Sequence, residues 1–298
     1  MPDEEELLEQ GYDDDRVRQF ERMQREDELA RYRDRDATAE TAYLRMKLGD
    51  SFVKVGNVRR AIGEYKRAVK MDAANPQLRT RLADAYVLAE MITQGMTEYR
   101  KVMRIAPDYA EAYASLGDLF RRYGMFKEAL REYQTASALS GERAYYHFKV
   151  AEASRSLGMH LEAVAAMQEA VRLEPNDAFY HFRLGDLLSR LCRIEEAVRH
   201  FARCVSLAPL DDYYRVRFAT VLMCAGQTQE AIAAYLEAVK IRPDNASYQV
   251  LLADAYDRAG DPARSRLLRR LAGELCEYEQ DFVARRRSEY QALFQPTS

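Results

Sequence analysis

From residue 42 onward, apolar side chains recur at helical spacing in short runs, each pair of runs separated by a turn signal. Leu116, Leu119, Phe120 and Tyr123 form one run, and Ala129, Leu130, Tyr133 and Ala136 form the next. The spacing predicts two amphipathic helices, each with one apolar stripe. Gly56, Gly124, Gly158, Gly226 and Gly260 fall between paired runs, where a helix stops and the chain must reverse. Pro107, Pro175, Pro209 and Pro243 close the second run in four places.

The pattern has a fixed period. Gly49, Ala83, Gly117, Ala151, Gly185, Ala219 and Ala253 lie 34 residues apart without an insertion or deletion. Seven small residues in phase is roughly a one-in-100,000 event for a chosen frame. Other columns keep step, among them Ala61, Gly95, Ala129, Ala163, Ala197, Ala231 and Ser265. Tyr65, Tyr99, Tyr133, Met167, Phe201, Tyr235 and Arg269 form a third column, large at every step. The small columns predict places where paired helices approach too closely for a larger side chain. One helical hairpin cannot bury its stripe alone, so the units must stack.

These columns resemble the tetratricopeptide repeat (TPR) family over residues 42–279, as seven contiguous units. The resemblance implies an all-α, right-handed superhelical solenoid of helix-turn-helix repeats. Unit position four, often Trp in the family, is Arg45, Arg79, Tyr113, His147, His181, Arg215 and Gln249 here. Three segments are expected. Residues 1–41 form an acidic arm, partly disordered or helical, with 15 acidic residues against 7 Arg. Residues 42–279 form the repeat array, and 280–298 a carboxy-terminal helix and tail that cover the last open face.

Composition narrows the function. The chain carries 298 residues, a net charge of −3 and no apolar run approaching the length of a membrane helix, and its amino terminus is acidic rather than signal-like. A cytoplasmic protein with neither membrane insertion nor nucleic-acid binding is expected. Arg- and Ala-rich usage suggests a bacterial source. Four cysteines form no CxxC pair and read as small hydrophobes. Phosphate-loop, zinc-protease, nucleophile-elbow and EF-hand motifs are absent, so no enzyme, cofactor or metal site is expected. His200 and Cys204 could share a helix face, but two ligands do not make a zinc site. His147 and His181, in one column of adjacent units, read as ring-shaped fillers that lie near each other.

Function is then expected on a surface. The resemblance implies that positions 2, 5, 9, 12 and 13 of each first helix line a concave groove. Those positions hold an aromatic patch of Tyr145, Phe148, Phe179, Phe182 and Tyr213. Beside it runs an acidic column that includes Asp118, Glu152 and Asp186, with Arg121, Arg155 and Arg190 one helical turn further on. The expected role is a non-enzymatic adaptor or assembly scaffold holding a partner peptide or helix, with the rings as anchors and the Arg side chains steering acidic flanks. Two bland readings compete: the charges satisfy one another, and the rings pack together. Some family members grip a chaperone's carboxylate through an Asn at position 9, which is Asp or Glu in six units here. That activity is not expected. The alternative function is self-assembly or autoinhibition, with the acidic arm docked on its own or a neighbouring array.

Overall fold

The computed structural model describes residues 41–275 and 280–291. Fifteen α-helices and no strand occur among the described residues. The acidic arm lies outside them, apart from Thr41, as do residues 276–279 and the tail from 292 to 298. No helix among the described residues is long and apolar enough to cross a membrane.

The chain divides into two compact units. The amino-terminal unit ends at Ser140. It holds α1 (Ala42–Lys54), α2 (Val58–Met71), α3 (Pro76–Leu88), α4 (Ile92–Ile105), α5 (Ala110–Arg122) and α6 (Phe126–Leu139). Consecutive helices pair as α1–α2, α3–α4 and α5–α6, and α2 and α4 pack on the next first helix. The carboxy-terminal unit begins at Gly141. It holds α7 (Ala144–Ser156), α8 (His160–Leu173), α9 (Ala178–Arg190), α10 (Ile194–Leu207), α11 (Asp212–Cys224), α12 (Thr228–Ile241), α13 (Ala246–Arg258), α14 (Pro262–Glu274) and α15 (Gln280–Gln291). Four hairpins stack there in the same way.

The 34-residue columns have visible causes. A Cβ added at Gly49 would lie 2.5 Å from the Tyr65 ring, and one at Gly117 would lie 2.6 Å from Tyr133. The large column therefore sits on the small one, and Tyr65, Tyr99, Tyr133, Met167, Phe201 and Tyr235 are all buried. The hairpin turn places one residue per unit at positive φ. Five are glycines, but Glu90 (φ 59°) and Cys192 (φ 56°) hold the same place. Glu90 has a compensation: Arg122 and the Tyr123 hydroxyl of the following unit both bond its carboxylate.

Position four also acquires a role. Arg79, Tyr113, His147, His181, Arg215 and Gln249 each hydrogen-bond the backbone carbonyl six residues earlier, on Ala73, Pro107, Gly141, Pro175, Pro209 and Pro243. A polar side chain thus ties down the turn between units where an indole is usual. His181 faces the second helix of its own hairpin. Its Nδ1 lies 3.1 Å from Nδ1 of His200 on α10. Because His181 Nε2–H donates to Pro175, its Nδ1 accepts from His200. Burial lowers both imidazole pKa values, that of His200 to about 4. Cys204 is buried in the core, with its thiol pushed up to about 12.

The last helix is present, and its seat is specific. It packs on α11 and α13, the first helices of units six and seven. Val283 is buried and Phe282 packs beside it, in the cluster holding Tyr248, Leu251 and Leu252. Helix α13 is thereby covered along most of its length, whereas Leu267 and Leu271 of α14 stay exposed. The expected cover therefore lies on the inner helices rather than across the whole final hairpin.

Candidate functional site

The five predicted rings stand on α7, α9 and α11. Helix α9 is capped by Asp177 and α11 by Asp211, whose side chains accept from Phe179 N–H and Tyr214 N–H. Unit positions 2 and 5 differ in depth. Tyr145, Phe179 and Tyr213 are exposed by 44%, 40% and 39%. Phe148 and Phe182 are half-buried against the core cluster around Leu184 and Phe201.

The rings also touch one another. Phe148 meets Phe179 edge-on at 5.2 Å between centroids. Phe182 stacks on Tyr214 at 5.0 Å and contacts Tyr213 at 5.7 Å. The guanidinium of Arg183 lies 5.8 Å from the Phe148 ring and 5.9 Å from the Phe179 ring. At its far end the strip meets α15, where Phe282 lies 6.5 Å from Tyr213 and 6.2 Å from Tyr248. The rings therefore pack together and still leave one edge to solvent.

The acidic column is held from three directions. First, Arg121, Arg155 and Arg190 pair with Asp118, Glu152 and Asp186 at 3.8, 3.2 and 3.0 Å. Second, the buried phenol of the same hairpin donates to the column. Tyr65 bonds Asp50 at 2.7 Å, Tyr99 bonds Asp84, and Tyr133 bonds Asp118 at 2.6 Å. Third, where Met167 and Phe201 offer no donor, an Arg from unit position six of the next first helix supplies one. Arg183 takes Glu152, and Arg217 takes Asp186 at 2.6 Å. In unit seven Arg269 and Arg287 both reach Asp254 at 2.7 Å. Arg287 belongs to α15, so the terminal helix engages the carboxylate of unit seven.

Electrostatics follow this packing. Burial opposes the charge on Glu152, but hydrogen bonds from Arg155 and Arg183 outweigh it and hold the pKa below the ordinary glutamate value. Asp84 has no ion pair among the described residues, and burial raises its pKa to about 6 against the weaker pull of Arg81. Burial also raises Glu289, against the pull of Arg217.

One cluster escaped the sequence reading. Arg217 is buried, with Nη2 on Asp186 at 2.6 Å and Nη1 on Glu289 of α15 at 2.8 Å. The signal was the position-six column, which holds Arg81, Arg183 and Arg217. A charged residue recurring on the face of a helix that packs against its neighbour calls for a buried partner.

A tetratricopeptide repeat sequence profile matches residues 90–277, and a second of the same description matches 46–110. No curated protein matches the chain significantly. Among solved structures, the pilF product of Pseudomonas aeruginosa is 18% identical with a TM-score of 0.57, over 72% of this chain and 97% of its own. YrrB, described as a TPR protein with an unusual peptide-binding site, is 18% identical with a TM-score of 0.55, over 64% and 97%. MamA is 18% identical with a TM-score of 0.52, over 63% and 97%. These likenesses concern the fold.

Proposed function

The chain belongs to the tetratricopeptide repeat family, whose stacked hairpins serve protein interaction, and from that premise we propose that it is a non-enzymatic adaptor or assembly scaffold. Its carboxy-terminal unit holds a peptide or helix of a partner protein on the first-helix face of α7, α9 and α11. One observation carries the reading. Tyr145, Phe179 and Tyr213 keep large apolar surface in solvent, while Phe148 braces Phe179 and Phe182 braces Tyr213. Braced rings lose little side-chain freedom on binding, which favours them as anchors. Glu152, Asp186, Arg155 and Arg190 form a pre-paired rim that gives register more than attraction. Arg121 and Asp118 form the corresponding pair in the amino-terminal unit.

The test is site-specific photocrosslinking in the source cell. A crosslinking residue at Phe179 should capture a defined partner, and one at Leu161, on the second helix α8 and 74% exposed, should not. Equal capture at both places would move recognition off the first-helix face.

A second reading, autoinhibition by a segment of the same chain, is favoured by the seat of α15. The acidic arm, the segment first expected in this role, lies outside the described residues. Helix α15 instead occupies the first-helix face of units six and seven, so a partner longer than the aromatic strip would compete with it for Tyr213.

A further inference from the structure

A pocket of about 450 Å³ opens where α15 crosses the carboxy-terminal ends of α9 and α11. Six charged side chains line it: Arg190, Arg217, Arg285, Arg286, Asp186 and Glu289. Both carboxylates are already engaged. Asp186 bonds Arg217 and Arg190, and Glu289 bonds Arg217 and Arg286 at 2.8 and 2.6 Å. Four guanidinium groups therefore face two carboxylates, which leaves two positive charges uncompensated among the lining residues.

Two of the four are nine-tenths or more buried, with side-chain exposures of 4% for Arg217 and 9% for Arg286. The Nε–H of each is buried without a hydrogen-bond acceptor. A buried donor left unmatched is costly, and the penalty is larger on a charged group. Arg285 has no ion pair among the described residues, and Ser189 and Ser288 add hydroxyls to the wall. Guanidinium forks match tetrahedral oxyanions in both charge and geometry.

We propose that this cleft binds a doubly charged oxyanion of the phosphate class, either free phosphate or a phosphate monoester carried on a larger molecule. The ligand would neutralise the excess charge of the lining guanidinium groups. Because Arg285 and Arg286 come from α15 while Arg190 and Arg217 come from α9 and α11, the ligand would also pin α15 in its seat. The inference does not depend on the partner-binding reading, since it involves none of the exposed rings.

The experiment is titration calorimetry on the full chain with inorganic phosphate, at ionic strength held constant with sodium chloride. Saturable binding of one phosphate per chain is expected, with a melting temperature that rises and then levels off. Arg190→Ala combined with Arg285→Ala, both exposed and therefore safe for folding, should weaken binding by at least about tenfold and leave the circular dichroism unchanged. Acetate, with a single charge, should bind much more weakly. O-phosphoserine in parallel separates the sources: tighter binding than phosphate assigns a monoester, and weaker binding assigns the free ion. No saturable heat beyond that of chloride, or equal binding by the double variant, overturns the proposal.

Discussion

Arg217 and Glu289 lie 72 positions apart and meet in a forked ion pair, both carboxylate oxygens 2.8 Å from one guanidinium nitrogen. The pair fastens α15 to α11, and its arginine is one of the least exposed charged groups among the described residues. Glu289→Ala should leave that guanidinium half-paired in a desolvated place, at a cost of about 2–4 kcal/mol. Amide hydrogen exchange is the suitable readout. Protection should fall throughout α15 while α1–α6 keep theirs, and unchanged protection in α15 would show that its apolar contacts alone hold it.

Cys192 offers a test in the opposite direction. It occupies a left-handed turn position that five sister units give to glycine, and the backbone strain of a side chain there is about 1 kcal/mol. Cys192→Gly should raise the melting temperature. Glu90→Gly should gain less or lose stability, because it removes the acceptor of Arg122 and Tyr123. If both substitutions shift the melt equally, turn strain is not the governing quantity.

Acid should weaken the carboxy-terminal unit through His200. Its pKa falls from 6.5 to about 4 on folding, first through burial and then through the charges of His181 and Arg199. The unfolded chain therefore binds more protons in that window, and stability is lost as pH drops from about 6.5 toward 4. Glu196 moderates the effect on His200, as Asp177 does for the neighbouring His181. Comparing melts of wild type and His200→Gln across this range is decisive, since the variant should show a shallower decline.

Asp84 should act with the reverse sign. Its folded pKa of about 6 exceeds the ordinary 3.8, so the ionised carboxylate works against folding at neutral pH. That burden lifts as pH falls through 6 and is gone below about 3.8. Asp84→Asn keeps an acceptor for the Tyr99 hydroxyl and should raise stability at pH 7, with the gain shrinking in acid. A gain that does not change with pH points instead to a packing effect.

The aromatic strip divides into two classes of substitution. Tyr145→Ser with Tyr213→Ser removes exposed ring surface, leaves position 179 for the crosslinking residue, and should cost about 1 kcal/mol or less while abolishing partner capture. Phe148→Glu with Phe182→Glu places two charges against the core cluster and should lower the melting temperature markedly. Thermal melts and crosslinking on the same two variants separate anchor from brace, and a fully stable Glu variant would show that the deeper rings are not packed.

The 34-residue columns made the fold legible, because glycine at 49 and 117 and a ring sixteen residues later are two halves of one contact. The exposed rings were legible for the same reason: position within a unit sets the face. Three features were not. The hydrogen bonds of position four join chemically unlike donors, Tyr, His, Arg and Gln, to the carbonyls of the closing prolines, and donors so different in kind do not read as one column. The acidic column looked like a surface stripe paired with its own helix, whereas its strongest partners come from the paired helix and the next unit. Helix α15 shows few apolar residues, and nothing local says that Phe282 and Val283 find their seat on α11 and α13.

The bond from Arg287 to Asp254 gives the array a defined length. In units four and five the position-nine carboxylate is completed by an arginine of the following unit. Here the final carboxylate is claimed by a guanidinium that the chain brings back on α15. An additional repeat grafted after unit seven with arginine at its position six would compete with Arg287 for Asp254, and with α15 for its seat. The terminal helix thus works as a stop codon written in three dimensions, and lengthening the array means inserting units upstream of it.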